Sequence, residues 1–269
     1  MKLRYNRPSV NPTRPTVVTT TNPELTLLLP CYNEADSVET VLREWIDCLE
    51  PRVPSFEIVA INDGSNDGTG RVLDNLRKEF KTLRVIHQLN LGASYAVRRG
   101  IEAARGNYLL VIEGEGRYEP SDFFRMWDLR LGHLLVLGTR SHRLERFFHR
   151  ALSHLQATAI RWFFGVELRD ISTPFRLIKR SAALAAMQAV PIDHVPVELA
   201  VPLYIARDRA SDVAEVAIPH QPRKSLSRKR GIFSLTSRAL GTLRGLFLFW
   251  IERPRLPMIP LLIQRRAAP

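Results

Sequence analysis

The stretch Asn107-Tyr-Leu-Leu-Val-Ile-Glu-Gly-Glu115 decides the predicted fold, because a short apolar run ends there in two acidic residues. Residues 107–112 have the length and composition of a buried β-strand. Glu113 and Glu115 are two positions apart, and side chains with that spacing lie on one face of a strand. Gly114 between them removes bulk, so that a phosphate-bearing ligand can approach the backbone. The stretch therefore predicts a strand with a ligand site at its carboxyl end.

The acidic pair has two interpretations. Hard cations such as Mg²⁺ and Mn²⁺ bind carboxylate oxygens together with substrate phosphates, which makes Glu113 and Glu115 candidate metal ligands. The alternative is a pair of solvated glutamates at the end of a strand. The spacing alone does not separate the two.

Three further apolar runs precede this strand, and each is followed by turn residues and a helical pattern. The runs are Leu25–Pro30, Phe56–Ile61 and Leu83–Ile86. The first helix is predicted from Asp36, where Asp36 and Glu39 match a capping box, and the third over Ala93–Arg105. Strands that alternate with helices predict an α/β fold with a mainly parallel sheet flanked by helices. Ligands of such sheets bind beyond the carboxyl ends of the strands.

Polar residues cluster at three of these predicted strand ends. The clusters are Cys31–Glu34, Asn62–Gly68 and Glu113–Glu115. Because the carboxyl ends of parallel strands meet at one edge of the sheet, we expect the three clusters to form one site. Gly64 and Gly68 are also explained by ordinary turn chemistry.

The chain resembles the family 2 glycosyltransferases, in particular dolichol-phosphate mannose synthase and bacterial polyprenyl-phosphate glycosyltransferases. The resemblance covers roughly residues 25–230 and rests on several motifs in the family's order. These are Leu28-Leu-Pro-Cys-Tyr-Asn-Glu34, Ile61-Asn-Asp-Gly-Ser-Asn-Asp-Gly-Thr69, Asn90-Leu-Gly92, Gly138-Thr-Arg140, Asp170-Ile-Ser-Thr-Pro-Phe-Arg176 and Glu215-Val-Ala-Ile-Pro219.

The resemblance implies a GT-A fold, a nucleotide-diphospho-sugar donor such as a UDP- or GDP-hexose, inversion at the anomeric carbon, and Mg²⁺ or Mn²⁺ as cofactor. It also implies site residues. Pro30, Tyr32 and Glu34 would border the nucleoside, and Asp63 would accept hydrogen bonds from it. The remaining donor-binding residues would be Glu113, Gly114, Arg140, Arg223 and Lys229. The catalytic residues would be Glu115, Asp170 and Arg176.

Departures from the family pattern leave the metal dependence open. The usual acidic triplet is Asp-x-Asp, whereas both acidic positions here carry the longer Glu. Arg117 stands where relatives often have a Gln that helps with the metal. A cation at that position repels a metal ion or substitutes for part of its charge.

The formal net charge of +12 favours an anionic partner. A phosphate acceptor needs no strong general base, because its second ionisation lies near pH ~6, so a polyprenyl phosphate is the first hypothesis for the acceptor. Arg140, Arg176, Arg223 and Lys229 are candidates for binding that phosphate or the departing diphosphate, with a solvated face or an ion pair as the alternative for each. A saccharide hydroxyl acceptor would instead require a base, for which Asp170 is the candidate. A degenerate nucleotide- or nucleic-acid-binding protein is the third hypothesis.

The C-terminal region predicts a membrane-surface helix. A basic run over residues 223–230 precedes an amphipathic pattern over residues 232–251, where two arginines interrupt the apolar side. Such a helix lies in the interface rather than spanning the bilayer; the alternative is a helix that packs on the catalytic domain. We therefore predict a disordered tail over residues 1–22, a catalytic domain over 23–230 and a membrane-surface extension over 231–269. With two cysteines and no predicted signal peptide, the expected location is the cytosolic face of a membrane.

Overall fold

A computed structural model describes residues 22–114, 116–140, 158, 160–171, 173–189, 196–219, 244–248 and 250–251. These residues form one seven-stranded sheet with helices on both faces. The strands are β1 (Leu25–Cys31), β2 (Phe56–Asp63), β3 (Leu83–Gln88), β4 (Tyr108–Val111), β5 (Leu135–Arg140), β6 (Arg176–Lys179) and β7 (Val213–Ile218). Their order across the sheet is β3-β2-β1-β4-β6-β5-β7.

The sheet is mixed and mainly parallel, which confirms the predicted fold class. β1 pairs in parallel with β2 and β4, β2 with β3, and β5 with β7, whereas β6 runs antiparallel to both of its neighbours. The reversal at β6 brings Arg176, the first residue of that strand, beside Val111 at the end of β4. The start of β6 and the end of β4 therefore lie at the same end of the sheet, where the acidic pair was predicted.

The helices cover the two faces in separate sets. The helices are α1 (Val38–Leu49), α2 (Thr69–Glu79), α3 (Ala93–Ala103), α4 (Phe123–Trp127), α5 (Arg180–Ala189) and α6 (Val197–Asp208). Side chains of a strand point alternately to opposite faces, so Leu27 of β1 packs in the cluster beneath α1 and α2 while its neighbour Leu28 packs in the cluster beneath α3, α5 and α6.

Two details of the predicted elements were wrong. The first helix begins at Val38 with Ser37 at the N-cap, and Ser37 makes no side-chain capping bond, so the capping box of Asp36 and Glu39 does not form. The Ser37 hydroxyl instead donates to the carbonyl oxygen of Gly114 at 2.9 Å. β2 also extends through Asn62 and Asp63, which the sequence pattern places in the following turn.

A buried polar cluster stabilises the opposite end of the sheet, where β1, β2 and β3 begin. Glu57 Oε1 accepts hydrogen bonds from the Thr26 hydroxyl at 2.9 Å and from the Arg105 amide at 2.7 Å, and its other oxygen accepts from Arg84 at 2.8 Å. At Gly106 a Cβ would stand 2.5 Å from the backbone nitrogen of Thr26. The turn between α3 and β4 is therefore tied to β1, which fixes the strand that leads to Glu113.

The part of the predicted C-terminal helix that the structure describes is helical over residues 244–248 and 250–251. Leu246 is buried in the core, whereas Phe247 and Trp250 are largely exposed and contact the Phe163 ring. Among the described residues, no helix has the length and apolar character needed to cross a membrane. The predicted tail over residues 1–22, apart from its last residue, and most of the predicted 231–269 extension lie outside the described residues.

Candidate active site

A cleft of about 370 Å³ opens at the carboxyl ends of β1, β2 and β4. It brings together seven of the predicted site residues, namely Pro30, Tyr32, Glu34, Asp63, Glu113, Gly114 and Arg176. Backbone or side chains of Cys31, Asn90, Gly92, Ala93, Pro174, Pro196 and Glu198 complete much of the wall. The polar clusters at the three predicted strand ends thus contribute to one site, as expected.

The loop after β1 is held in place by the polar residues that follow β2. The backbone amides of Asn33, Glu34 and Ala35 donate to the side chains of Ser65, Thr69 and Asp67, at 3.0, 2.8 and 3.1 Å. Partial burial works to raise the pKa of Asp67, but hydrogen bonds from Thr69 and Ala35 outweigh it and lower that pKa. Much of the Asn62–Gly68 cluster therefore has a structural role, which is to position the loop carrying Tyr32 and Glu34.

Asp63 connects the end of β2 to the loop before α3. Its Oδ1 accepts hydrogen bonds from Gln88 Nε2 at 2.8 Å and from the Leu91 amide at 2.9 Å, and its Oδ2 accepts from the Gly92 amide at 2.9 Å. A carboxylate has about four acceptor positions, so Oδ2 keeps capacity for a ligand. Asp63 is 3% exposed and lines the cleft, so one residue both fixes the loop and forms part of the cleft wall.

Gly64 allows that loop to approach. It has a φ of +65°, and a Cβ there would lie 2.5 Å from the backbone nitrogen of Asn90. Gly68 has a φ of +100°, and a Cβ at that position would meet nothing within 4 Å, so this glycine serves the turn alone. Turn chemistry thus explains Gly68, whereas Gly64 is also required by the contact with Asn90.

We expect Asp63→Asn to weaken nucleotide binding and loosen the loop at residues 90–92. The amide would present N–H groups to backbone N–H donors, so at least one of the three bonds is lost, which destabilises the protein by about 1–3 kcal/mol. Urea unfolding and titration with UDP and GDP measure the two effects. The control is Asp47→Asn, which removes an acid from the exposed surface of α1. Wild-type stability and affinity in Asp63→Asn would contradict the role assigned to the carboxylate.

Glu113 lies half-buried at the edge of the cleft, directly beyond β4. The carbonyl of Gly114 accepts the Ser37 hydroxyl, and a Cβ on Gly114 would contact Glu34 Cγ at 3.4 Å. The two contacts of Gly114 fix the backbone between Glu113 and Glu115, the predicted metal ligands. Glu115 lies outside the described residues, and among those described no group of three or more His, Cys, Asp or Glu side chains is arranged around a common metal position. Mg²⁺ in phosphate-binding sites commonly takes only one or two protein carboxylates, so the donor set fits such an ion.

Arg176 is the basic wall of the cleft. The side chain is 2% exposed, and it donates from Nη1 to the Glu198 carbonyl and from Nη2 to the Thr173 carbonyl. Its Nε has no hydrogen-bond partner among the described residues. Burial lowers the pKa of Arg176, and the nearby carboxylates of Glu198, Asp170 and Glu113 oppose that effect. The guanidinium is fixed by two carbonyls and places a positive charge in the wall of the cleft.

Asp170 and Arg140 form an ion pair outside the residues that line the cleft. Arg140 Nε and Nη2 donate to the two carboxylate oxygens of Asp170 at 2.6 and 2.9 Å, and Asp170 is 4% exposed. Both carboxylate oxygens of Asp170 are therefore engaged by one guanidinium. The geometry therefore disfavours Asp170 as the general base of a hydroxyl acceptor and favours a structural role for Arg140. Arg223 and Lys229 lie outside the described residues.

One feature of the cleft was not expected from the sequence. Glu198, in the first turn of α6, has a buried carboxylate oxygen without a partner in the described part of the chain. Nothing in the sequence separates it from the acids that ordinarily occupy the first turn of a helix. Cys31 also lines the cleft, but burial first of all, aided by the charges of Glu34 and Asp67, raises its thiol pKa far above the usual value, so it is no nucleophile.

Tyr118 has a structural role next to the residues that precede Arg176 and does not act as a base. Its ring stacks on Phe175 with centroids 4.6 Å apart, and its hydroxyl lies 3.5 Å from the Thr173 hydroxyl. Burial raises the pKa of Tyr118 to about 12. The tyrosine is therefore neutral near pH 7 and keeps the segment that leads into β6 in place.

Comparison with known proteins gives matches along most of this fold. Residues 26–185 match glycosyl transferase family 2. A dolichyl-phosphate beta-glucosyltransferase from Trichomonas vaginalis is 28% identical over 80% of this chain and 70% of that protein. An undecaprenyl-phosphate 4-deoxy-4-formamido-L-arabinose transferase from Pseudomonas fluorescens is 24% identical over 79% of this chain, which spans 62% of that longer protein.

Solved structures confirm the GT-A type of fold. Glucosyl-3-phosphoglycerate synthase from Mycobacterium tuberculosis, crystallised with Mn²⁺, UDP and glucosyl-3-phosphoglycerate, superposes with a TM-score of 0.60 at 20% identity. The match covers 84% of this chain and 79% of that one. At this identity the similarity is one of architecture.

Proposed function

This chain belongs to glycosyl transferase family 2, and from that membership we propose that it transfers a hexose from a nucleotide-diphospho-sugar to a polyprenyl phosphate with inversion at the anomeric carbon. The observation that carries the proposal is the cleft itself, because residues from five separate motifs of the sequence line it. Asp63 and Tyr32 occupy one side, Glu113 and Gly114 the middle, and Arg176 the other side.

The residues of this cleft have distinct roles in the proposed reaction. Asp63 accepts hydrogen bonds from the nucleoside, and the fixed loop after β1 presents Pro30 and Tyr32 beside it. Glu113 and Glu115 would hold Mg²⁺ or Mn²⁺, which when bound supplies positive charge for the diphosphate. Arg176 adds a buried positive charge near the departing group, in a site where low polarity strengthens each interaction. Arg223 and Lys229 remain proposed phosphate ligands.

The acceptor is proposed from chemistry and from the relatives. The matched proteins from Trichomonas and Pseudomonas are named for dolichyl and undecaprenyl phosphates. A phosphate acceptor is largely ionised at neutral pH and needs no base, which agrees with an Asp170 already engaged by Arg140. The chain's charge of +12 favours such an anionic lipid.

We also propose that the protein acts on the cytosolic surface of a membrane. Phe163, Phe247 and Trp250 form an aromatic cluster with ring centroids 5.5–6.1 Å apart, and Trp162, the residue before Phe163 in the sequence, is 85% exposed. Aromatic side chains of this kind favour the boundary between lipid headgroups and acyl chains. The basic residues 223–230 of the sequence would add attraction to anionic lipid.

A transfer assay with competing acceptors tests this function. Purified protein is incubated with radiolabelled UDP-glucose or GDP-mannose, Mn²⁺, and either undecaprenyl phosphate in detergent or a free oligosaccharide. We expect label in the lipid fraction with one of the donors. Transfer to the oligosaccharide alone would instead support the saccharide-acceptor hypothesis. Salt-sensitive oligonucleotide binding without turnover of either donor would contradict the enzyme assignment.

A further inference from the structure

A hydrogen-bonded pair, Asn62 and His87, joins the ends of β2 and β3. The two residues are direct partners in the parallel register, and Asn62 Nδ2 lies 3.0 Å from His87 Nδ1. Side chains of a strand alternate between faces, so Asn62 points away from the side of its neighbour Asp63. Asn62 is 7% exposed, whereas His87 reaches solvent. Neither residue lines the cleft, so the roles given to the cleft residues do not explain this pair.

The backbone sets the orientation of the Asn62 amide. Its Oδ1 accepts a hydrogen bond from the Ser65 amide at 3.1 Å. Because a backbone N–H can only donate, the side-chain oxygen of Asn62 faces Ser65 and the NH₂ group faces His87. A Cβ on Gly70, in the first turn of α2, would lie 2.8 Å from Asn62 Nδ2 and 3.4 Å from the His87 ring. The start of α2 therefore packs closely on the pair.

This orientation determines which nitrogen of the His87 ring carries the proton. The NH₂ group of Asn62 donates, so Nδ1 accepts and bears no hydrogen. The neutral ring then carries its proton on Nε2, which lies 3.3 Å from Asp74 Oδ1 and can donate to it. From β2 the ring thus faces the uncharged Asn62, and from α2 it faces Asp74, whose Oδ1 also pairs with Arg77 at 3.3 Å. A second proton would place an N–H at Nδ1 against the NH₂ group of Asn62.

The bond between Ser65 and Asn62 is one step away from the loop after β1. The Ser65 hydroxyl accepts from the Asn33 amide at 3.0 Å, and Asn33 Oδ1 accepts from the Asn66 amide at 3.0 Å. Asn33 has a φ of +56°, a left-handed conformation that persists only where the surroundings fix it. The residues on either side of Asn33 line the cleft. The contacts that hold Asn62 therefore also help to hold the cleft side of this loop.

We infer that His87 is a positioning residue of the loop after β1, and that it holds the Asn62 amide through a neutral ring with its proton on Nε2. A proton on Nδ1 forces the amide to turn, and the Ser65 amide then faces an NH₂ group instead of an oxygen. Histidine is the side chain that ordinarily changes charge near neutral pH, so acid loosens the loop. The consequence for nucleotide-sugar affinity rests on the proposed function, whereas the consequence for the loop does not.

Nuclear magnetic resonance of the ligand-free protein tests the first step. Long-range ¹H–¹⁵N spectra distinguish an imidazole nitrogen that carries a proton from one that does not, and His87→Asn identifies the signals of the ring. At about pH 8 we expect a bare Nδ1 and a protonated Nε2. The opposite tautomer would contradict the inference.

Two substitutions of His87 test the effect on the loop. His87→Leu removes the acceptor, so amide exchange of residues 32–35 should quicken at every pH, and affinity for the nucleotide sugar should fall about 5-fold. His87→Asn places an uncharged oxygen near the position of Nδ1. It should keep the wild-type affinity at about pH 8 and lose the decrease of about 5-fold that we expect for wild type toward about pH 5.5.

The probes are UDP-glucose and GDP-mannose, measured by isothermal titration, because their diphosphates lack the second ionisation near pH ~6 of a terminal phosphate. Amide exchange is followed by mass spectrometry without ligand and expressed as protection relative to the unfolded chain at each pH. The control is His133→Asn. His133 lies outside the cleft, with Nδ1 2.9 Å from the Leu129 carbonyl, and this variant should keep the pH dependence of wild type.

A loop that loosens equally with acid in wild type and His87→Asn would assign the pH dependence to another group and overturn the inference. Quicker exchange across the whole sheet of His87→Leu, rather than in the loop, would show a general structural role and overturn it as well. If wild type bound neither nucleotide sugar at any pH, the proposed donor would fail. The exchange of the ligand-free loop in His87→Asn and wild type would still decide the role of His87.

Discussion

Glu113→Gln is expected to lower the rate of sugar transfer about 10²–10³-fold, which is the size of effect seen when a group that stabilises developing charge is removed. Gln keeps the volume of Glu but loses its negative charge, so the site binds a divalent cation more weakly. Glu113 is half-buried and its neighbour Gly114 is held through Ser37, so the backbone stays in place. Initial rates over a range of Mn²⁺ concentrations measure the effect.

A second readout separates metal binding from other effects of the substitution. Free Mn²⁺, followed by electron paramagnetic resonance in the presence of UDP or GDP, should be depleted by wild type and by the control Glu102→Gln, which alters an exposed acid of α3. Glu113→Gln and Glu115→Ala should deplete it less, while unfolding at the wild-type temperature. Full transfer activity in Glu115→Ala would remove the acidic pair from the mechanism.

Arg176→Lys is expected to reduce transfer about 100-fold or more, because an ammonium cannot replace a planar fork that bonds two carbonyls and so holds its charge in the wall of the cleft. The carbonyls of Thr173 and Glu198 lose at least one partner, so we also expect the free energy of unfolding to fall by about 1–3 kcal/mol. Steady-state kinetics and urea unfolding are measured on the same preparation.

Arg180→Lys is the matched control for that prediction. Arg180 begins α5, and like Arg176 it has a buried Nε without a partner among the described residues, but it does not line the cleft. A similar loss of stability with activity retained is expected for the control. If Arg176→Lys lost no more activity than Arg180→Lys, Arg176 would have a structural role only.

The first half of the fold follows from local sequence patterns. Buried parallel strands are continuous apolar runs, and β1 to β4 each show one, so their existence was predicted and their bounds to within one or two residues. The meeting of Asp63 and Glu113 in one cleft follows from that order, because the carboxyl ends of neighbouring parallel strands share an edge.

The second half depends on contacts that no local pattern records. α6 is buried on nearly every side, so its residues are apolar almost all round and show no alternation between an apolar and a polar face. It also contains Pro202, which local patterns do not favour inside a helix. The partner of Asp170 could not be deduced either, since Arg140 is 30 positions away and the two meet because β5 and β6 are neighbours. Glu198 looks like any other acid in the sequence, and only the fold places it in the wall of the cleft.

A crystal structure with the preferred nucleotide and Mn²⁺, read by the anomalous signal of manganese, tests the central claim most directly. We predict one manganese peak within ~2.5 Å of a carboxylate oxygen of Glu113 or Glu115. The nucleoside should lie beside Asp63, and the diphosphate should lie between the nucleoside and the manganese. Nucleotide bound elsewhere on the molecule, or manganese away from both glutamates, would contradict the account.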